Sequence, residues 1–219
     1  MSDYYWDGPN STKMGVYLTK KESSYITTFL VDKRLSVCLD VACGSGRFSI
    51  PISQYISNTV SIDNDMSGLR KLKERDGNIH VCRGDANHLP YKDRTFDCIF
   101  CIECIEYFDK IKFFNQCNKL IKDGGYLILT TTNKSSYKKY LQRVLSRHRT
   151  FYSSKLSETI NEINLAGFDV VNLYGYNWLP FKRDSNNPLI GLFELIEKLF
   201  WFQRLASVSP YVFIVAKKR

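Results

Sequence analysis

Long hydrophobic runs are missing from this chain. No apolar stretch approaches the roughly 18 residues that cross a bilayer. The N-terminus, Ser2-Asp3-Tyr4-Tyr5-Trp6-Asp7, is acidic and aromatic where a signal peptide is basic and then apolar. The expectation is a cytoplasmic protein with no transmembrane segment. Histidine is scarce, at three residues, and none has the partner spacing of a metal site, so no metal is expected. The six prolines are never adjacent and the G-x-x-x-x-G-K phosphate loop is absent, which argues against P-loop nucleotide chemistry. Internal repeats and low-complexity tracts are also absent, so solenoids and disordered tails are not expected.

What is present suits one globular unit. The 219 residues can bury a sizeable core, and 44% hydrophobic with 24% charged residues is an ordinary balance. The seven cysteines are odd in number and scattered, which fits free thiols better than a disulfide framework. Cys98, Cys101 and Cys104 have the spacing of an iron–sulfur run. On a strand, however, Cys98 and Cys101 point to opposite faces, and Phe108 stands where a fourth ligand would fall. The net charge of +9 is consistent either with an anionic partner or with a diffusely basic surface.

Strand and helix signals alternate. Apolar runs at 35–41, 58–63, 78–83, 96–102 and 126–132 read as strands, with helices at 48–56, 67–75 and 110–121 between them. Lys122-Asp123-Gly124-Gly125 reads as the stop of the last of these helices. Short connections and strands that are apolar almost throughout predict an α/β, Rossmann-like, doubly wound and mostly parallel seven-stranded sheet with helices on both faces. The last third adds helices at 155–166 and 189–205 and strands at 168–174 and 211–216. It also carries an amphipathic segment whose basic residues Lys138, Lys139, Arg143, Arg147 and Arg149 lie off the apolar stripe. That stripe reads as a solvated face, or as a contact for an anionic substrate or a membrane surface. The aromatic helix containing Phe193 and Phe202 reads as packing within a cap. No linker marks a second domain. The expected arrangement is one domain over 1–219: a cap helix at 1–30, a ligand-binding core at 36–132, and cap segments at 133–165 and 176–208.

Ligands of such sheets sit at the carboxyl ends of the strands. There the first strand ends in Asp40-Val41-Ala42-Cys43-Gly44-Ser45-Gly46. A glycine turn lets the backbone approach a ligand, and the next helix offers unpaired N–H groups. Asp63, at the end of the second strand, is placed to accept the hydroxyls of an adenosine ribose. The dinucleotide pattern G-x-G-x-x-G would need a glycine at Ser49, and Asp40 would face a pyrophosphate. A carboxylate there suits a cofactor with a cationic amino-acid part.

These residues carry a resemblance. Val37 to Gly46 (VCLDVACGSG), Val60 to Asp63, Gly84-Asp85-Ala86 with Leu89-Pro90-Tyr91, Phe96-Asp97 with Ile105 to Phe108, and Leu120 to Tyr126 occur in order. They resemble the class I S-adenosylmethionine-dependent methyltransferases of the small-molecule, ubiquinone/menaquinone-biosynthesis-like type. The resemblance implies that Asp40, Ala42, Gly44 and Gly46 cradle the methionine part of S-adenosylmethionine. Asp63 would bind the ribose, Asn64, Asp85 and Ala86 the adenine, and the main chain near Cys101 the ammonium. The family usually has glycine at the position of Ala42 and often histidine at that of Tyr107. Candidate catalytic residues are His88, Glu106 and Tyr107, and the candidate acceptor pocket draws on Tyr4, Tyr5, Trp6, Tyr152 and Trp178. The Asn/Asp-Pro-Pro-aromatic element of base-modifying aminomethyltransferases is absent, since Cys101 to Cys104 stand in its place. The expected acceptor is therefore an oxygen or nitrogen of a small metabolite, such as a sugar, a polyketide or a lipid-linked precursor, and a nucleic-acid partner is not expected. An RNA or protein methyltransferase, or a non-catalytic cofactor-binding subunit, are the alternatives.

Overall fold

The computed structural model describes residues 4–144 and 154–219, without the side chains of 141–144 and Lys198. Seven strands form one sheet: β1 (Val37–Val41), β2 (Asn58–Asp63), β3 (His80–Arg83), β4 (Phe96–Cys101), β5 (Ile121–Thr132), β6 (Phe168–Tyr176) and β7 (Tyr211–Lys218). Their order is 3-2-1-4-5-7-6. The first five strands are parallel, and β7 runs antiparallel between β5 and β6. The order reverses between β1 and β4, which opens a crevice at their carboxyl ends.

The period of two along each strand sorts the core into two layers. Leu39, Val41, Ile99, Leu127 and Ile214 face one side. There they meet Phe113, Phe114 and Cys117 of α5 (Lys110–Leu120) and Ile163 of α7 (Leu156–Leu165). Cys38, Phe100, Ile128 and Phe213 face the other side, under Met14, Leu18 and Ile26 of α2 (Lys13–Leu30) and Ile52 of α3 (Ser49–Ser53). Cys98 belongs to this second layer and Cys101 to the first, as strand alternation requires. A smaller cluster seats α4 (Met66–Arg75) through Leu69 and Leu72.

Several elements differ from the sequence expectation. The glycine pair does not stop a helix: α5 ends at Leu120 and the chain enters β5 at once, with Gly124 at φ +74°. Pairing jumps from Phe96↔Ile121 to Cys98↔Tyr126, so the pair forms a bulge. The N-terminal segment is two helices, α1 (Asp7–Ser11) and α2, divided at Thr12, whose hydroxyl caps α2 by accepting the Gly15 N–H at 3.1 Å. α7 packs on the sheet face beside α5 rather than over the crevice. The 189–205 helix is shorter, because α8 (Ile190–Leu199) gives way at Trp201, which takes a left-handed φ of +53°. The amphipathic segment forms α6 (Tyr137–Val144), while the expected basic residues Arg147 and Arg149 lie outside the described residues. No helix among the described residues is long and apolar enough to cross a membrane.

Candidate active site

The carboxyl ends of β1, β2, β3 and β4 surround a cavity of about 600 Å³. Its floor is the turn after β1, where Ala42 and Gly44 both take φ +55°. Gly44 meets that demand without strain, whereas Ala42, with its Cβ, does not. A Cβ on Gly44 would also lie 2.3 Å from the Tyr4 hydroxyl. Asp63 ties the strand ends together. One of its carboxylate oxygens accepts the Gly44 N–H at 2.7 Å, the other the Asp65 N–H at 2.8 Å, and its main-chain carbonyl accepts Gly84 N–H at 3.0 Å.

Asp40 lies beneath the turn and accepts the Ser49 hydroxyl at 2.5 Å. Burial, with the negative Asp63 nearby, pushes its carboxyl up to about 7, against the opposing pull of Ser49 and Arg47. Asp85 is exposed and accepts the Asn87 backbone N–H at 2.8 Å, which with the His88 contact lowers its carboxyl below the ordinary range. Ala86 and Asn64 complete this wall.

Sequence-based candidates divide by position. Asp40, Ala42, Gly44, Asp63, Asn64, Asp85, Ala86, Glu106 and Tyr107 border the cavity, as do Tyr4, Tyr5 and Trp6. Gly46 turns away, with the Leu72 side chain against its Cα. Cys101 is fully buried, its Sγ 3.0 Å from that of Cys104, and the next three residues, Ile102, Glu103 and Cys104, form the wall instead. His88 stands outside on the exposed surface, between Asp85 at 3.2 Å and Lys112 at 2.7 Å. Trp178 is also away from the wall, stacked on Tyr137 at 5.6 Å under the α6 cap. Tyr152 lies outside the described residues.

Glu106 is not free to act as a mobile base. Its Oε1 accepts the Thr132 N–H at 2.6 Å and the Thr131 and Thr132 hydroxyls at 3.0 Å each. It braces the end of β5 at the cavity edge.

The far side of the cavity was not singled out by the sequence. Glu103, at φ +60° after β4, holds two guanidiniums, those of Arg47 and Arg183. Against the penalty of burial, these cations keep the Glu103 carboxyl well below its ordinary value. Glu22, fully buried in α2 and 3.5 Å from Arg47, is pushed the other way by burial and by the charge of Glu103. Tyr176 donates its hydroxyl to Glu22 at 2.7 Å. Arg183 also donates to Asn10 at 2.8 Å, and its main-chain carbonyl accepts the Thr12 hydroxyl at 2.7 Å, joining the cap to α1 and α2. The only local sign in the sequence was an acid at the apolar end of β4.

Asp40, Asp63 and Asp85 line the half of the cavity at the ends of β1 to β3, whereas the other half carries Arg47 and Arg183 together with Glu103 and Glu106, so acids and guanidiniums offset each other there. A ligand with an adenosine hydroxyl pair and a cationic amino-acid part matches the acidic half in the chemistry of its donors and acceptors, and at Gly44 it is the Tyr4 ring that approaches the turn where a Cβ would otherwise stand.

Comparison with known proteins agrees with this geometry. Residues 39–129 match the family described as a methyltransferase domain. The matched segment runs from β1 to β5, and the chain as a whole has the α/β fold of class I methyltransferases. An uncharacterised protein of Methanocaldococcus jannaschii is 29% identical over 212 residues, covering 92% of this chain and 88% of that protein. The ubiquinone/menaquinone biosynthesis C-methyltransferase of Haemophilus ducreyi is 32% identical over 108 residues, 44% of this chain and 41% of its own length. The methyltransferase fold also matches the crystal structure of an S-adenosylmethionine-dependent methyltransferase from Thermotoga maritima. The TM-score is 0.65 at 18% identity, over 92% of this chain and 89% of that one.

Proposed function

We propose that this methyltransferase transfers the methyl group of S-adenosylmethionine to an oxygen or nitrogen of a small metabolite. The acidic half of the cavity carries this reading: it suits the cofactor, and the space before Arg183, Glu106 and Tyr107 is left for an acceptor. When bound, S-adenosylmethionine supplies an electrophilic methyl group on a sulfonium. Asp63 would hold the ribose hydroxyls, Asp85 and Ala86 the adenine, and the turn around Gly44 the methionine part. Asp40 would offset the cationic charge of that part.

The acceptor side calls for positioning more than for acid–base work. Alignment of two reactants contributes up to roughly 7–11 kcal/mol to such a reaction. Tyr4, Tyr5 and Trp6 cover the turn, and α1 is held there by Asp7, which accepts the Ser45 hydroxyl at 2.8 Å and pairs with Lys71 at 2.9 Å. A phenolate or amine nucleophile needs no dedicated base.

The test is calorimetric titration with S-adenosylmethionine, S-adenosylhomocysteine and NAD, followed by transfer of labelled methyl to panels of small phenols, alcohols and amines. Binding of the first two with turnover on a small acceptor supports the proposal. Preference for NAD, or turnover only on RNA or protein, overturns it.

A further inference from the structure

α8 carries apolar side chains on more than one side: Ile190 and Phe193 pack into the core, and a second apolar set faces water. Both of its carboxylates turn inward onto α2: Glu197 is buried against the Tyr17 hydroxyl and 3.4 Å from Lys21, and Glu194 lies 3.9 Å from Lys20. Leu192, Leu195 and Leu199 turn outward and are 55%, 55% and 67% exposed. The apolar strip does not stop there. It runs on through Phe200, Trp201 and Leu205, all exposed, and Leu189 extends it at the other end.

Scattered exposed leucines are ordinary, but a contiguous strip of this length on one element marks a contact surface. Trp201 adds an independent observation. A bulky residue at φ +53° sits in a costly backbone region, and here the strain holds the indole out in solvent with the Arg204 guanidinium 4.5 Å from its centroid. An aromatic ring with a cation over it is suited to the boundary between an apolar phase and charged headgroups.

Charge decides the occupant. Lys13, Lys20, Lys182 and Arg204 are exposed on the strip's own and neighbouring elements, against one exposed carboxylate at Asp184 and with Lys20 3.9 Å from Glu194, and the whole chain carries +9. A second copy would bring +9 against +9, whereas an anionic lipid surface satisfies both the leucines and the cations. We propose that the outer face of α8, with Phe200, Trp201 and Leu205, seats this protein on an anionic membrane surface. The helix lies in the interface and does not span it. The placement is independent of the acceptor's identity.

Co-sedimentation of the full chain with phosphatidylcholine vesicles, with and without phosphatidylglycerol, tests this, alongside the double variant Leu195→Glu/Leu199→Glu. The wild type should partition onto the phosphatidylglycerol vesicles, and the variant should lose about tenfold or more of that partitioning. Because the substituted side chains are exposed, the variant should still bind S-adenosylhomocysteine, which checks its fold. Failure of the wild type to bind anionic vesicles, or equal binding by the variant, overturns the proposal. A dimer in solution that these substitutions dissociate, without vesicle binding, would overturn it in favour of a second copy.

Discussion

The carboxylate of Asp63 accepts the Gly44 N–H at 2.7 Å, so the acid that ends β2 fixes the turn that ends β1. One side chain therefore shapes the floor of the cavity and, in the proposed function, would also meet the ribose. Asp63→Ala removes both roles. Hydrogen bonds to a charged group contribute about 1.5–3 kcal/mol, so affinity for S-adenosylhomocysteine should fall by about tenfold or more. Calorimetry reads the loss directly. Unchanged affinity in a folded variant would separate Asp63 from the cofactor site.

In the proposed function, Asp40 should make cofactor affinity depend on pH. In the free protein its carboxyl is pushed up to about 7 by burial. A cationic ligand favours the carboxylate, so below about pH 7 binding must first displace a proton. Affinity for S-adenosylmethionine should then rise with pH up to about 7 and level off above it. The limiting slope for one proton is about tenfold per pH unit. The same shift acts on stability with the opposite sign. Between the unfolded value near 4 and the folded value near 7 the folded state holds a proton that the unfolded chain has released, so this group's contribution to stability falls as pH rises. Asp40→Asn should flatten the binding profile. A wild-type profile with no dependence between pH 5 and 8 would remove Asp40 from the ligand's surroundings.

What the sequence made legible is what local pattern determines. β4 and β1 are apolar on both faces because both faces are covered, and the acids and glycines that end them fall together wherever the parallel sheet forms. Arg183 meets Glu103 across 80 residues of chain, a pairing that no local pattern encodes. α8 shows a second limit, since it is apolar both where Ile190 and Phe193 meet the core and where Leu192, Leu195 and Leu199 meet water, and spacing alone does not separate the two. Trp178 was drawn to the pocket by its type, yet it packs between Tyr137 and Phe202. The glycine pair at 124–125 carries the composition of a helix stop and serves a strand bulge instead, because α5 already ends at Leu120.

Ala42 holds a left-handed φ of +55° at the edge of the cavity. That conformation costs an L-residue with a Cβ roughly 1–2 kcal/mol, and glycine gives back part of the gain through its freer unfolded state. Ala42→Gly should therefore leave stability unchanged or raise it by up to about 1 kcal/mol. Urea denaturation with and without S-adenosylhomocysteine would detect this. A loss of more than about 1 kcal/mol would mean that the Ala42 methyl contributes packing worth more than the strain it carries.

Glu103 is the single anion between two guanidiniums, and its substitution should be unequal to theirs. Glu103→Gln leaves Arg47 and Arg183 facing each other with only Glu22, itself pushed toward its neutral form by burial, nearby. Breaking a largely buried pair in this way costs about 3–5 kcal/mol. Arg183→Gln leaves Glu103 paired with Arg47 and should cost clearly less. It also loosens the cap, because Arg183 is the cap side chain that donates to both Asn10 and Glu103, while Arg47 keeps its own contacts to the same two residues. Chemical denaturation of the two variants and of the double variant gives the coupling. If the mutual term is near zero, the cap is held by its contacts to Thr12, Lys13 and Met14, and Glu103 serves the cavity rather than the fold.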